Sequence, residues 1–364
     1  MTIKDITSSL EELAPLKYAE EFDNVGLLVG DYNTEVKGVL VTLDTLENIV
    51  DEAMEKKCNL IVSFHPIIFS GLKKLNGNNY VERVVLKAIK NDIAIYAIHT
   101  ALDNSINGVS AKMAEKIGLL NTKILIPKQG LIKKLTTYVP NKDAEKVRNV
   151  LFQAGAGAIG NYNECSFNID GLGTYKGNMN SNPAKGKKGQ LHSENETFIS
   201  VIFEKHLEQK ILQNLFKAHP YEEVAYDIVT TDNNHQNIGM GVYGHLTNDI
   251  TEKQFLSLLK ETFHLQSIRH SKLLDKPIKK VAVLGGSGSF GIEDAKRCGA
   301  DIYISADFKY HDFYKAENQI VLADIGHYES EQFTKNLLVD YLTKKFRNFA
   351  IVLSEKNTNP INYL

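Results

Sequence analysis

Short apolar runs alternate with segments of helical period on either side of a middle stretch that breaks the rhythm. This alternation narrows the possible folds more than any other feature. Before the break, "VKGVLVTLDT" reads as a strand, "LENIVDEAMEKK" as a helix and "NLIVSF" as a strand; "VERVVLKAIKN" is a helix, "IAIYAI" a strand and "GVSAKMAEKIGL" a helix. After it come "KKVAVLGG", "GIEDAKRCG", "DIYISAD", a further helix, "QIVLADIG", the helix "SEQFTKNLLVDYLTKKF" and a last strand in "FAIVLSE". Strands and helices taken in turn predict βαβ units and a largely parallel sheet. The middle stretch reads differently. "LIKKLTTYVP", "DAEKVRNVLFQAG", a hairpin in "ECSFNIDGLGTYKG", "TFISVIFE", "KHLEQKILQNLFKAH" and "EEVAYDIVTT" give βαββαβ, the order of a ferredoxin-like split unit. The expected architecture is therefore an α/β body in two halves, residues 1–127 and 238–364, with an inserted ferredoxin-like α+β domain over residues 128–237. The loop "KGNMNSNPAKGKKGQ" reads as a solvated hairpin tip rather than a phosphate site.

Composition limits what such a chain does. With 364 residues, 43% hydrophobic and 24% charged, it can bury a sizeable core in two or three domains. A formal net charge of -2 gives no global pull toward nucleic acid or membrane. Cys58, Cys165 and Cys298 are scattered and form no CxxC pair, which argues against thiolate zinc sites and a redox dithiol and fits a reducing compartment. The opening stretch "MTIKDITSSLEELAPLKYAEEFDN" carries acids and has no continuous apolar core, so a secretory signal is not expected. The expected location is the cytoplasm.

Four strand ends carry residues that can ligate a cation: His65 in "SFHP", His99 and Asp103 in "AIHTALDN", Asp307 and His311 in "ISADFKYHD", and His327 and Glu331 in "ADIGHYESE". Ligands of open α/β sheets bind in the crevice beyond the carboxyl ends of the strands. His327 and Glu331 are four apart and would share a helical face. Simpler readings stand beside this one. Glu329 or Glu331 could serve only the helix dipole; His99 could be a packed histidine; Asp103 could cap the turn before "NSINGVS". Taken together, His65, Asp103, His327 and Glu331 make a nitrogen–oxygen ligand set without sulfur, suited to Zn, Fe, Mn, Co or Ni. A competing motif is "GGSGSFG", where Gly286, Gly288 and Gly291 match the dinucleotide fingerprint after a strand, with Asp307 near the end of the next strand. A dinucleotide-binding oxidoreductase is thus an alternative. A tight turn needing small residues is preferred, because the motif begins deep in the chain and the next strand ends in "SADFKYHD".

With these residues assembled, the chain resembles the GTP cyclohydrolase 1 type 2 homologue family, also called Nif-three-like proteins. The matching stretches are "EEFDNVGLLVGD", "SFHPIIFSGLK", "IHTALDN", "GMGVYGHL", "VAVLGGSG", "DIYISADFKYHD" and "IGHYESE", while "AHPYEEVAYDIV" resembles the family's optional CutA-like insert. The resemblance implies a two-metal site in a cavity of a ring-shaped homo-oligomer, often a hexamer. It implies His65, Asp103 and Glu331 as ligands of one divalent cation, and His327 with a bridging Glu331 for the second. Phe64 stands where the common "HHP" motif has its first histidine, so one cation should be held more firmly than the other. The implied activity is metal-dependent hydrolysis of a nucleotide-like or phosphorylated small molecule, with His99 or His311 moving protons. The other implied role is a non-enzymatic metal-binding adaptor or regulator that uses the insert as its interaction surface.

Overall fold

A computed structural model describes all residues, 1–364. The fold is mixed α/β with three sheets. The chain divides into two compact units, Met1–Pro127 with Asn237–Leu364, and Lys128–Gln236.

The larger unit holds two sheets. One has the order Gly26–Val29, Ala94–Ala97, Leu60–Ser63, Val39–Thr42, Ile351–Leu353. Every neighbouring pair is parallel except the first. Its three central strands bury all four of their residues, which is why they read as unbroken apolar runs rather than as alternation. The second sheet has the order Arg269–His270, Val321–Asp324, Ile302–Ala306, Pro277–Ser287, Gly239–Thr251, Leu120–Pro127. Val321–Asp324, Ile302–Ala306 and Pro277–Ser287 run parallel, and the outer strands are antiparallel.

The stretches on the two sides of the insert interleave in the sheets. Ile351–Leu353 pairs with Val39–Thr42, and Leu120–Pro127 pairs with Gly239–Thr251, so each sheet takes a strand from the other side of the insert. Sequence periodicity sees only neighbours along the chain and carries no signal for such long-range pairing.

The smaller unit is a four-stranded antiparallel sheet ordered Phe167–Lys176, Leu191–Glu204, Ile132–Pro140, Tyr226–Thr230. Leu135, Val139, Ile199 and Val201 face the helices Asn141–Ala154 and Glu208–Ala218, which bring Val147, Leu151, Ile211 and Leu215 to the shared core. The hairpin expected within "ECSFNIDGLGTYKG" is instead one straight strand. Gly171 and Gly173 lie opposite Glu196 and Glu194 within the ladder. The turn falls later, in the Lys/Asn/Gly loop between this strand and Leu191–Glu204. No helix of the chain is long and apolar enough to cross a membrane.

Candidate metal centre

The carboxyl ends of the parallel strands of both sheets meet in the larger unit. Val39–Thr42 leads to Asp44, Leu60–Ser63 to His65, and Ala94–Ala97 to the short helix His99–Asp103. From the second sheet, Pro277–Ser287 carries Gly286, Ile302–Ala306 leads to Asp307, and Val321–Asp324 leads to the short helix His327–Glu331.

His65 is fixed at three points. Its N–H donates to Leu43 O at 2.9 Å, its carbonyl accepts from Ser63 Oγ at 2.8 Å, and Nδ1 lies 2.8 Å from Asp44 Oδ1. Asp44 is steadied in turn by Thr358, whose Oγ1 donates to Oδ2 at 2.6 Å. His327 repeats the pattern, with Nδ1 2.7 Å from Asp307 Oδ2. Each carboxylate holds its ring by Nδ1, so that Nε2 is the nitrogen turned to the centre, and it would become a lone-pair donor once a cation displaces its proton. Both Nε2 atoms point to one place: they lie 3.1 Å (His65) and 3.3 Å (His327) from Glu331 Oε2. Neither is aligned for a hydrogen bond, and Oε2 is a buried oxygen that accepts none. Three donor atoms within 4.8 Å of one another, one of them a buried carboxylate oxygen without a hydrogen bond, form a set that fits a divalent cation.

Charge follows the same geometry. Burial works against charging His65, but Asp44 and Glu331 outweigh it and raise its pKa to about 10. Burial is likewise overcome at His327, where Asp307 and Glu331 raise the pKa to about 11. Burial favours a neutral Glu331, yet the two imidazoles hold its pKa down at about 2. Exposure is graded across the site. The Glu331 side chain is 4% exposed, His65 22% and His327 41%, so the cluster opens on the His327 side.

Asp103 lies at the end of the His99–Asp103 helix and outside the set of three. Burial raises its pKa well above the ordinary carboxylate range; Glu331 adds to this, and His65 and His327 oppose it, so it shares their field. His99 borders the cluster with its ring 5.1 Å from that of His65, and its Nδ1 is 2.9 Å from Asp23 Oδ1. It holds a φ of 25°, a left-handed value uncommon for a non-glycine residue. Phe64 is fully buried, 4.8 Å from the His65 ring and 5.5 Å from the His99 ring. His311 is not brought to the cluster. It is exposed on the 3-10 helix Tyr310–Ala316, and its ring meets Tyr310 edge-on and lies tilted 6.1 Å from Tyr314.

The glycine-rich turn serves this site. Gly286 has φ 70°, and a Cβ there would lie 2.3 Å from Glu331 Oε1, so only glycine lets the carboxylate lie against the strand. A Cβ on Gly288 would meet Ser305 Oγ at 2.0 Å, and one on Gly291 would meet Tyr303 OH at 2.5 Å. The chain's own side chains thus fill the space beside these glycines, and the helix that follows has only six residues. These are the features of a packed turn, not of a pyrophosphate cradle. Sequence reading missed Asp44 and Asp23 as partners of the histidines. Asp44 was findable as the acid just beyond its strand, in "VTLD"; Asp23, in "EEFDN", had no such periodic signal.

Comparison with known proteins bears on the same residues. The sequence pattern of a family described as Duf34/NIF3 (NGG1p interacting factor 3) matches residues 1–360. A Bacillus subtilis (strain 168) protein named GTP cyclohydrolase 1 type 2 homolog is 39% identical over 368 residues, covering 99% of this chain and 98% of that one. A protein of the same name from Halalkalibacterium halodurans is 36% identical, with 97% and 96% covered. The crystal structure of a Bacillus cereus protein related to NIF3 aligns with a TM-score of 0.86 at 37% identity, covering 100% of this chain and 99% of that one. A Staphylococcus aureus protein structure aligns with a TM-score of 0.79 at 30% identity, with 100% and 99% covered. The chain belongs to the Duf34/NIF3 (NGG1p interacting factor 3) family.

Proposed function

We propose that the chain is a divalent-metal-dependent hydrolase of the cyclohydrolase type, acting on a nucleotide-like or phosphorylated small molecule. The observation that carries this reading is the aim of two carboxylate-fixed imidazoles at one buried Glu331 oxygen. His65, His327 and Glu331 would hold the cation, Zn, Fe, Mn, Co or Ni, with Asp103 as the neighbouring acid. A second cation beside Glu331 would lack the ligand that the family resemblance puts at the position of Phe64, next to the His65 and His99 rings. Such a cation would supply Lewis acidity and lower the pKa of a bound water.

The chain's own residues do the rest. Asp44 and Asp307 fix the histidine tautomers. Phe64, buried in the core, packs against the rings of His65 and His99 and limits how they can turn. His99, oriented by Asp23, is placed to accept or return a proton at Nε2. The relatives' shared name, GTP cyclohydrolase 1 type 2 homolog, supports the reaction class. The reading extends to a ring-shaped homohexamer in the cytoplasm, and to a ferredoxin-like fold for Lys128–Gln236, supported there by the βαββαβ order and the antiparallel sheet.

The test is metal analysis of protein purified without added metal, then a screen against nucleotides and phosphate esters. Glu331→Ala should lose metal and hydrolysis together. Hydrolysis that survives the loss of metal would refute the reading, and mass measurement in solution checks the hexamer.

A further inference from the structure

The smaller unit has a cavity of about 710 Å³ on the sheet face that its helices leave uncovered. Its floor is formed by two rungs of the ladder: Gly171 pairs with Glu196, and Ile169 with Phe198. Two aromatic pairs form the walls, Tyr138 with Phe198 at 5.5 Å between centroids and Tyr175 with Tyr221 at 5.7 Å. At the base lies the Glu196 carboxylate, 8% exposed. Tyr221 OH donates to its Oε1 at 2.8 Å. Oε2 lies across Gly173, where a Cβ would come within 2.0 Å of it.

A carboxylate this buried ordinarily has a cationic partner. Glu196 has none in the ion pairs of its unit, where Lys185 goes to Glu194 and Lys133 to Glu208. The neighbouring His219 is already committed, with Nε2 2.9 Å from Tyr138 O and Nδ1 accepting from Tyr221 N at 3.1 Å. Glu222 and Glu223 also line the opening, against one lysine, Lys176, so the lining is net negative.

We infer that this cavity binds a small organic cation with an apolar body, its charged end on Glu196 and its body between the aromatic pairs. Aromatic faces attract a cation while shedding water, and the carboxylate gives it a hydrogen-bonded counter-charge. A volume of about 710 Å³ lies in the range of sites for small molecules. This site is distinct from the metal centre and does not depend on the hydrolase reading.

The test is an NMR titration of the full-length chain with benzylammonium, benzyl alcohol and benzoate, probes of similar size that are cationic, neutral and anionic. The cation should bind roughly tenfold or more tighter than the alcohol, shift the Tyr175 and Tyr221 resonances, and leave benzoate without measurable binding. Glu196→Gln should reduce the cation to the level of the alcohol, and Tyr221→Phe, a milder change, should narrow the same gap. Gly171→Val is the steric arm. A Cβ there meets no atom within 4 Å, so the variant fills the cavity without disturbing the strand and should block both ligands. Equal affinity for alcohol and cation, or cation binding unchanged by Gly171→Val, would overturn the inference. So would an absence of cation binding in the unaltered chain.

Discussion

The Asp23 side chain is fully buried, yet it stays ionised. Burial alone would raise its pKa, but hydrogen bonds from His99 and Thr100 outweigh that and lower it from 3.8 to about 2. A carboxylate with a depressed folded-state pKa adds stability above its unfolded pKa, and this is lost as pH falls toward the folded value. Asp23→Asn should therefore cost about 2 kcal/mol at pH 7, a difference that shrinks between about pH 4 and pH 2. Urea unfolding of both proteins across that range is the check, and a constant difference would show that pairing with His99 is not the cause. Phe64 makes the second case. Phe64→His should raise the affinity for a second cation, read as metal per chain, while costing about 2 kcal/mol because a polar ring replaces a buried apolar one. Two equally tight cations in the unaltered chain would defeat the asymmetric site. His65, His327 and Glu331 were legible as single residues because each follows an apolar run. Phe64 was legible only by resemblance, since nothing in "SFHP" says which neighbour a ligand would have had.

At the level of elements, the parallel strands and their helices could be read from the sequence because burial on both faces writes them as apolar runs. Of the two glycine-bearing segments, the one around Gly286 is the packed turn preferred over a dinucleotide loop, while the one around Gly171 misled as a hairpin. Whether Gly286 marks a phosphate loop, or Gly171 a turn, is decided by residues far away: Glu331 and Glu196. Gly286→Ala tests this directly. It should keep the fold but push the Glu331 carboxylate aside and weaken cation binding roughly tenfold or more, as changes that misplace metal ligands do. Competition titration with a chromogenic chelator measures the change. Affinity equal to that of the parent chain would mean Glu331 does not ligate from this position.

For the whole molecule, the insert interrupts a hairpin. Gly239 pairs with Pro127 in the second sheet, so the two chain ends that flank the insert are already neighbours in the ladder. Replacing residues 128–236 with Asn-Gly, which together with Asn237 and Ile238 makes a four-residue connection between the paired strands, should leave a folded unit that still holds its cation. Circular dichroism and metal per chain would show it, and a metal-free or unfolded product would mean the insert supports the body. The insert itself was legible as a break in rhythm, whereas the exchange of strands around it was not. That exchange has a kinetic side. Thr358 steadies Asp44 from 314 positions away, and His65 meets Glu331 only across the whole insert. Contacts so remote in sequence are slow to form, because the chain between them must be closed first. A cation held by them would come too late to guide the search for the fold; it would act as a lock, lengthening the lifetime of the finished body without hastening its assembly.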